Sequence, residues 1–353
     1  MLNMKKVFLA FIILGTCATV FAEEGESIVF NSSTGNYLIN HYSQIDKKFE
    51  QLIFIPTTKI NPALKTRFKV GRGEEVRYGY TLTSGRDSQQ AIRLLIFDPV
   101  SSVTTNLPNI PLNAPPGKIM GDMMNVANYF DTPALWNARM VYSKGQKAFR
   151  ISWGYNIETG GLTPGSNVVF GFNSRDLPGI ILAAVRGYAP DSQEIDGEEL
   201  PNAKDGGFGQ QYTELVTKKN FVPRPAAVPA IAVPSPFDSA VLLDRIQTQM
   251  HTWIGMELLD ATYSSQLDRY FAAAADAYRH NQPKAGKEHI QTLRKMLKKE
   301  HEDADKDDEK EDGKYEGKSD DKSKRIQIDR LAAKVLDFDL KYVLKRMDGN
   351  DKD

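Results

Sequence analysis

The chain has 353 residues, with 45 basic and 45 acidic side chains, so no net positive field exists to draw nucleic acid. Its length fits about two domains on the usual size range. The single cysteine, Cys17, excludes an internal disulfide framework, and its loss with the N-terminal segment excludes thiol catalysis and cysteine-ligated metal as well.

The first residues read "MLNMKKVFLAFIILGTCATVFAEE". Lys5 and Lys6 form a basic start, residues 7–14 are unbroken apolar sequence, and Val20-Phe21-Ala22 ends in a small residue before Glu23 and Glu24. This pattern predicts a secretory signal peptide over residues 1–22, cleaved after Ala22, with an apolar core short of a comfortable membrane span. An uncut N-terminal anchor is the bland alternative. A second alternative rests on Leu14-Gly15-Thr16-Cys17, which resembles a bacterial lipobox and makes Cys17 a lipidated first residue; Thr16 is larger than that pattern prefers. No other stretch approaches about 18 apolar residues. The expected location is outside the cytoplasm: periplasmic, cell-surface or extracellular.

Residues 26–190 predict strands. "IVFNSSTGNYLINHY" places two short runs around Ser-Ser-Thr-Gly, a hairpin signature. Val76, Tyr78, Tyr80 and Leu82 share one face of a strand, as do Phe149, Ile151, Trp153 and Tyr155, and again Val168, Phe170 and Phe172. "AIRLLIF" and "GIILAAV" are more continuously apolar, as deeper strands are. Gly160-Gly161, Pro164-Gly165 and Pro178-Gly179 read as turns, the last reversing the chain into "IILAAV". Residues 121–130 hold one short helical candidate. Many short strands with turn signals predict an antiparallel immunoglobulin-like β-sandwich.

Residues 191–238 are polar and then proline-rich, with Pro223, Pro225, Pro229, Pro234 and Pro236. Proline fixes φ and removes a donor, which predicts an extended polyproline spacer. From 239 to 347 the apolar period becomes helical: Leu242, Leu243, Ile246, Met250, Trp253 and Ile254; Leu267, Tyr270, Phe271, Ala274 and Tyr278; Ile290, Leu293 and Leu297; Ile328, Leu331, Val335, Phe338 and Tyr342. These stripes predict a small helical bundle, interrupted by a charged flexible insertion at 300–325 that cannot bury a core.

Candidate chemistry is sparse. Asp303, Asp305 and Asp307 match the first three ligand positions of an EF-hand loop, but Asp308 stands where glycine is needed and Lys314 where the closing glutamate belongs. A solvated charge run is the competing reading. The five histidines, His41, His251, His280, His289 and His301, form no HExxH pair, and no Gly-x-Ser-x-Gly elbow is present. His41 reads as a structural histidine. "GRGEE" and "GGFGQ" lack the phosphate-loop pattern. Tyrosine and tryptophan suit stacking on sugar rings, yet alternation puts most of them on the core face. Trp136, in the irregular context "TPALWNARM", is the aromatic expected to be exposed, and Arg175 with Asp176 is the exposed pair expected to touch a ligand. No cofactor is expected.

Two resemblances bear on this reading. Residues 260–301 resemble the FIMAH-type helical module of secreted bacterial proteins through Leu267, Ala274, Ala285, His289, Ile290 and Leu293. The strand-rich part, with "ISWGYNIETGGLTPGSNVVFGF" and "DLPGI", is similar to immunoglobulin-like β-sandwich modules of uncharacterised exported bacterial proteins. Both resemblances imply an accessory or surface-binding role and transfer no catalytic residue. The long acidic insertion departs from the helical family. The function expected on these grounds is non-enzymatic binding of a surface protein or polysaccharide of the cell envelope. A carbohydrate-active enzyme and an assembly subunit that pairs through exposed strand edges are the alternatives.

Overall fold

The computed structural model describes residues 25–43, 46–71, 75–101, 130–143, 148–156, 160–188, 207–217, 221–311 and 327–347. The signal segment with Cys17 and Ala22, the helical candidate at 121–129 and most of the spacer before 207 lie outside them. Among the described residues, eleven strands form three antiparallel sheets, accompanied by five helices. No described helix is long and apolar enough to cross a membrane. The chain divides into two compact units, residues 1–59 with 188–220, and residues 60–187 with 221–353.

The first unit holds β1 (Ser27–Asn31), β2 (Asn36–Ser43) and β3 (Lys48–Phe54) in the order β1-β2-β3, and α1 (Phe208–Thr217). The predicted hairpin joins β1 to β2. Asn31 Oδ1 caps its turn by accepting from Ser33 N at 3.0 Å and Thr34 N at 3.3 Å, while Gly35 takes the left-handed φ of 66°. One face of the sheet buries Ile39 and Phe54 against Phe208 and Tyr212 of α1. Three strands alone are marginal, so this helix completes the small core.

The second unit packs two sheets on one core. β4 (Pro62–Val70), β5 (Val76–Ser84) and β9 (Asn167–Ser174) run in the order β4-β5-β9. β6 (Ile92–Val100), β7 (Trp136–Ser143), β8 (Ala148–Tyr155), β10 (Leu177–Gly187) and β11 (Val222–Ile231) run in the order β11-β10-β6-β8-β7. The period-two faces meet in an aromatic layer. Tyr80 lies 4.4 Å from Phe97 between ring centroids, and Trp153 lies 5.1 Å from Phe170 and 5.5 Å from Phe97. Val76, Tyr78, Tyr80, Leu82, Ile151, Trp153, Phe170 and Phe172 are all fully buried, and tilted aromatic pairs of this kind add about 0.5–1.5 kcal/mol beyond burial. Gly171 is required here, because a Cβ would sit 2.7 Å from the Tyr78 carbonyl oxygen.

One turn assignment holds and one changes. Gly161, with φ of 132° and no room for a Cβ beside Ile92 O, does admit the bridge between Leu162 and Ile92. Pro178-Gly179, in contrast, lies inside β10, and the chain turns at Arg175-Asp176 to pass from one sheet to the other. Pro178 is tolerated because this end of β10 pairs with β11 alone, the β6 ladder beginning at Ala184.

The larger change concerns the proline run. Val222–Ile231 is the edge strand β11, paired antiparallel with β10, and not a spacer. Pro223, Pro225 and Pro229 occupy alternate positions, so their missing N–H groups all face away from β10. Ala227, at the same phase, donates from N to Thr66 Oγ1 at 3.3 Å and accepts the Tyr80 hydroxyl on its carbonyl at 3.1 Å. The helices also join this unit. α2 (Ser239–Thr252) is capped by Asp238, which accepts from Val241 N, and α3 (Ala261–Arg279) by Asp260, which accepts from Thr262 N and Tyr263 N. α4 (Pro283–Glu311) opens on proline, and α5 (Arg330–Met347) closes the bundle. Gln249 of α2 donates to Ile180 O of β10 at 3.2 Å, and Phe338 of α5 meets Phe68 of β4 edge to face at 5.0 Å. Helices and sheets therefore share one continuous core, where the sequence predicts a separate helical domain. Of the predicted helix faces, Leu242, Ile246, Trp253, Leu267, Phe271, Ile290, Leu293 and Val335 are buried, while Ile254 is exposed.

Candidate functional site

The residues predicted to touch a ligand do not assemble. Trp136 is 6% exposed at the start of β7, with its ring edge to face on Tyr155 at 5.7 Å and Phe170 at 5.1 Å. Its register opposite Tyr155 and its place over Phe170 make it a core residue, which its irregular sequence context hid. Arg175 is exposed, but Asp176 is half-buried and structural. Its carboxylate accepts from Ser101 Oγ at 2.5 Å, its N donates to Ser174 Oγ at 3.1 Å, and its carbonyl accepts the Tyr78 hydroxyl at 2.9 Å. Asp303, Asp305 and Asp307 fall in the C-terminal part of α4, so the charged segment that sequence reads as flexible is helical to Glu311 and only its remainder lies outside the described residues. No three His, Cys, Asp or Glu side chains among the described residues stand close enough to hold a metal ion.

Two clusters of titratable groups remain. His251 Nε2 lies 2.7 Å from Asp268 Oδ1, to which Gln247 Nε2 also donates at 2.7 Å. This pair ties α2 to α3. Ser264, one turn before Asp268, is buried, with no hydrogen-bond partner for Oγ among the described residues, and so it is closed to a substrate. The second is Asp339 of α5, fully buried, with neither carboxylate oxygen hydrogen-bonded within the described structure. Burial pushes its carboxyl well above the usual range. Tyr78 is held well above the ordinary phenol value too, first by burial, then by Tyr80, Asp339 and Asp176. Burial at Asp339 thus favours the neutral acid over the carboxylate.

The surface best built for binding lies in the first unit, on the face of the three-stranded sheet turned away from α1. Register brings three rows together. Val29, Leu38 and Ile53 form an apolar row; Ser27, Asn40 and Gln51 form a polar row; Tyr42 and Phe49 form an aromatic row. Rows are spaced by roughly 6.6 Å along the strands and columns by about 4.8 Å across them. The polar row is one hydrogen-bonded ladder: Gln51 Nε2 donates to Asn40 Oδ1 at 2.8 Å, and Asn40 Nδ2 donates to Ser27 Oγ at 2.9 Å. An amide carries two acceptor lone pairs and two donor hydrogens, so each side chain retains capacity for a ligand. Ile53 is 66% and Phe49 52% exposed. Tyr42 meets Phe49 edge to face at 5.3 Å, and Gly25 lies under the Phe49 ring, where a Cβ would collide at 2.3 Å. Among the described strand residues, this face holds no carboxylate or amine; Lys48 and Glu50 point to the other side, as their places opposite Ser43 and His41 require.

Sequence reading missed this patch. The alternation of Leu38, Asn40 and Tyr42 is visible in "NYLINHY", but the partners that turn three positions into a ladder depend on the pairing of β3. Comparison with protein-family models, with curated proteins and with solved structures finds no match to the chain.

Proposed function

We propose that this is an exported bacterial cell-envelope or extracellular protein with a non-enzymatic binding role, and that it binds a neutral polysaccharide on the outer face of its three-stranded sheet. The observation that carries the reading is the Ser27–Asn40–Gln51 ladder, flanked by Tyr42 and Phe49 on one side and by exposed Ile53 on the other. Sugars present hydroxyls at their rims and C–H groups on their faces, and this alternation of amides with apolar and aromatic surface matches both. The uncharged face suits a neutral glycan over an acidic one. The leader over residues 1–22, with cleavage after Ala22 or lipidation at Cys17, supports export. The two antiparallel sheets of the second unit, five strands over three on one aromatic core, support its reading as an immunoglobulin-like scaffold.

The test is isothermal titration and affinity electrophoresis against a panel of neutral and acidic polysaccharides. One neutral hydrogen bond is worth about 0.5–1.5 kcal/mol, so Gln51→Ala is expected to weaken binding about 2- to 12-fold without lowering the melting temperature. Equal binding by wild type and by the double variant Asn40→Ala/Gln51→Ala refutes the site, and the absence of binding to every polysaccharide refutes the ligand class.

A further inference from the structure

We infer that β1 is a self-pairing edge and that two copies of this chain join through it into one continuous six-stranded sheet. An unpaired edge offers a row of backbone donors and acceptors, and proteins guard such edges with charge, proline, bulges or cover. The other edges here are guarded. β11 carries Pro223, Pro225 and Pro229 and is capped by Thr66, Tyr80 and Ser101. β4 begins at Pro62 and carries Lys65, Arg67 and Lys69. β9 is bridged at Gly171 by Asp131, β7 carries exposed Arg139, and β3 carries the ion-paired Lys48 and Glu50 at 3.2 Å.

Among the described residues, β1 shows none of these devices along its outer edge, α1 packing only on its face through Ile28. Its five residues, SIVFN, contain no charge and no proline, and its ladder with β2 runs without a bulge. On its outer side it pairs with no described strand. Its side chains are also self-complementary. Antiparallel pairing of two copies about Val29 sets Val29 against Val29, Ile28 against Phe30, and Ser27 against Asn31, so that apolar meets apolar and polar meets polar in every pair. Such an interface is isologous and closes as a two-fold dimer. Phe30, which is 52% exposed, gains a cross-strand neighbour. A five-residue strand pair falls short of the standard interface of about 800 Å² per partner, so the dimer is weak and concentration-dependent. The inference does not depend on the polysaccharide reading, and its test uses no ligand.

The experiment is sedimentation velocity on the protein exported with its own leader, in which Cys17→Ser removes the lipidation alternative, from low micromolar to millimolar concentration. Monomer–dimer exchange is expected. Val29→Lys places two ammonium groups directly opposite each other and is expected to weaken the dimer at least tenfold, as is Val29→Glu alone. An equimolar mixture of the two restores association, because unlike charges then face each other. Val29→Cys forms a disulfide-linked dimer under mild oxidation, since directly opposed antiparallel residues stand about 4.5–5.5 Å apart between Cα atoms, within disulfide reach. A monomer throughout the range overturns the inference. So does a dimer that Val29→Lys leaves unchanged, or a charge mixture that fails to restore pairing. Circular dichroism of each variant against wild type separates loss of pairing from loss of fold.

Discussion

Replacing Asp339 by asparagine is expected to stabilise the protein by an amount that grows with pH. The native carboxyl titrates well above its ordinary value because burial disfavours the charged form, whereas in the unfolded chain it titrates near about 3.9. Above that pH the folded state holds a proton that the unfolded state has lost. Unfolding then releases a proton, and stability falls by about 1.4 kcal/mol for each pH unit until the native carboxyl itself ionises. The contribution is fully present below the unfolded value and is lost as pH rises. Asp337, two residues earlier on the same helix, works in the opposite sense. Burial alone would raise its carboxyl, but hydrogen bonds from Lys341 and Arg294 outweigh it and hold the group below its usual range, so its contribution is lost only in acid. Subtracting wild type from Asp339→Asn cancels that term, and Tyr78, whose phenol is held well above its ordinary value, stays neutral throughout this range. Asparagine leaves its own amide unsatisfied in the same place, a constant cost independent of pH. Urea unfolding at pH 4.5, 5.5 and 6.5 is the assay. The gap between the two proteins is expected to widen from each pH to the next, by at most about 1.4 kcal/mol per step. A gap that stays constant across the three pH values refutes the reasoning, because it means that the native carboxylate is ionised and has a partner.

Gly161→Ala combines a backbone φ of 132° with a Cβ placed 2.8 Å from Ile92 O and is expected to cost about 2–4 kcal/mol, read as a shift in the urea midpoint. A fragment ending at residue 238 lacks α2 to α5, which share the core of the sheets; it is expected to bind hydrophobic dye and to lose the cooperative transition of the full chain. A cooperatively folded fragment would restore the separate helical domain that the sequence predicts. Mass spectrometry of the exported protein is expected to find an N-terminus at Glu23; a lipidated Cys17 would replace that reading by the lipobox alternative.

Strand faces and helix stripes were legible because burial imposes a period that single residues report. Val76 to Leu82 on alternate positions, or Leu242 and Ile246 on a helix, needs no knowledge of the partner. Three features depended on the partner: the prolines and Trp136 were misread, and Asp339 was not singled out. The prolines of β11 signal an extended chain in either a spacer or an edge strand; their spacing at 223, 225 and 229 carries the distinction, since alternate prolines keep every missing donor on one side. Trp136 opens the alternation Trp136, Ala138, Met140, but it does so at the strand's first residue after an irregular stretch, and its register opposite Tyr155 shows it to be core. Asp339 hides among the polar positions of a helix whose apolar stripe runs beside it. The binding face is a matter of register throughout, because the Asn40–Gln51 contact joins residues of two strands whose offset the sequence does not state.

The outer face of the three-stranded sheet is available because the inner face is satisfied from far along the chain. α1 supplies Phe208 and Tyr212, more than 150 residues after β3, and these close a core of only four fully committed residues with Ile39 and Phe54. A sheet this small does not hold two apolar faces in water; with α1 on one side, the exposed Ile53 and Phe49 on the other are a surplus beyond what folding requires. Apolar surface retained at that cost, and interleaved with a polar ladder whose hydrogen bonds are already aligned, is what recognition of an amphiphilic ligand needs. The same geometry accounts for the unguarded β1: extending the sheet across a second copy joins the two Val29–Leu38–Ile53 rows end to end and sets two binding faces side by side on one surface, where a repeating polymer can reach both.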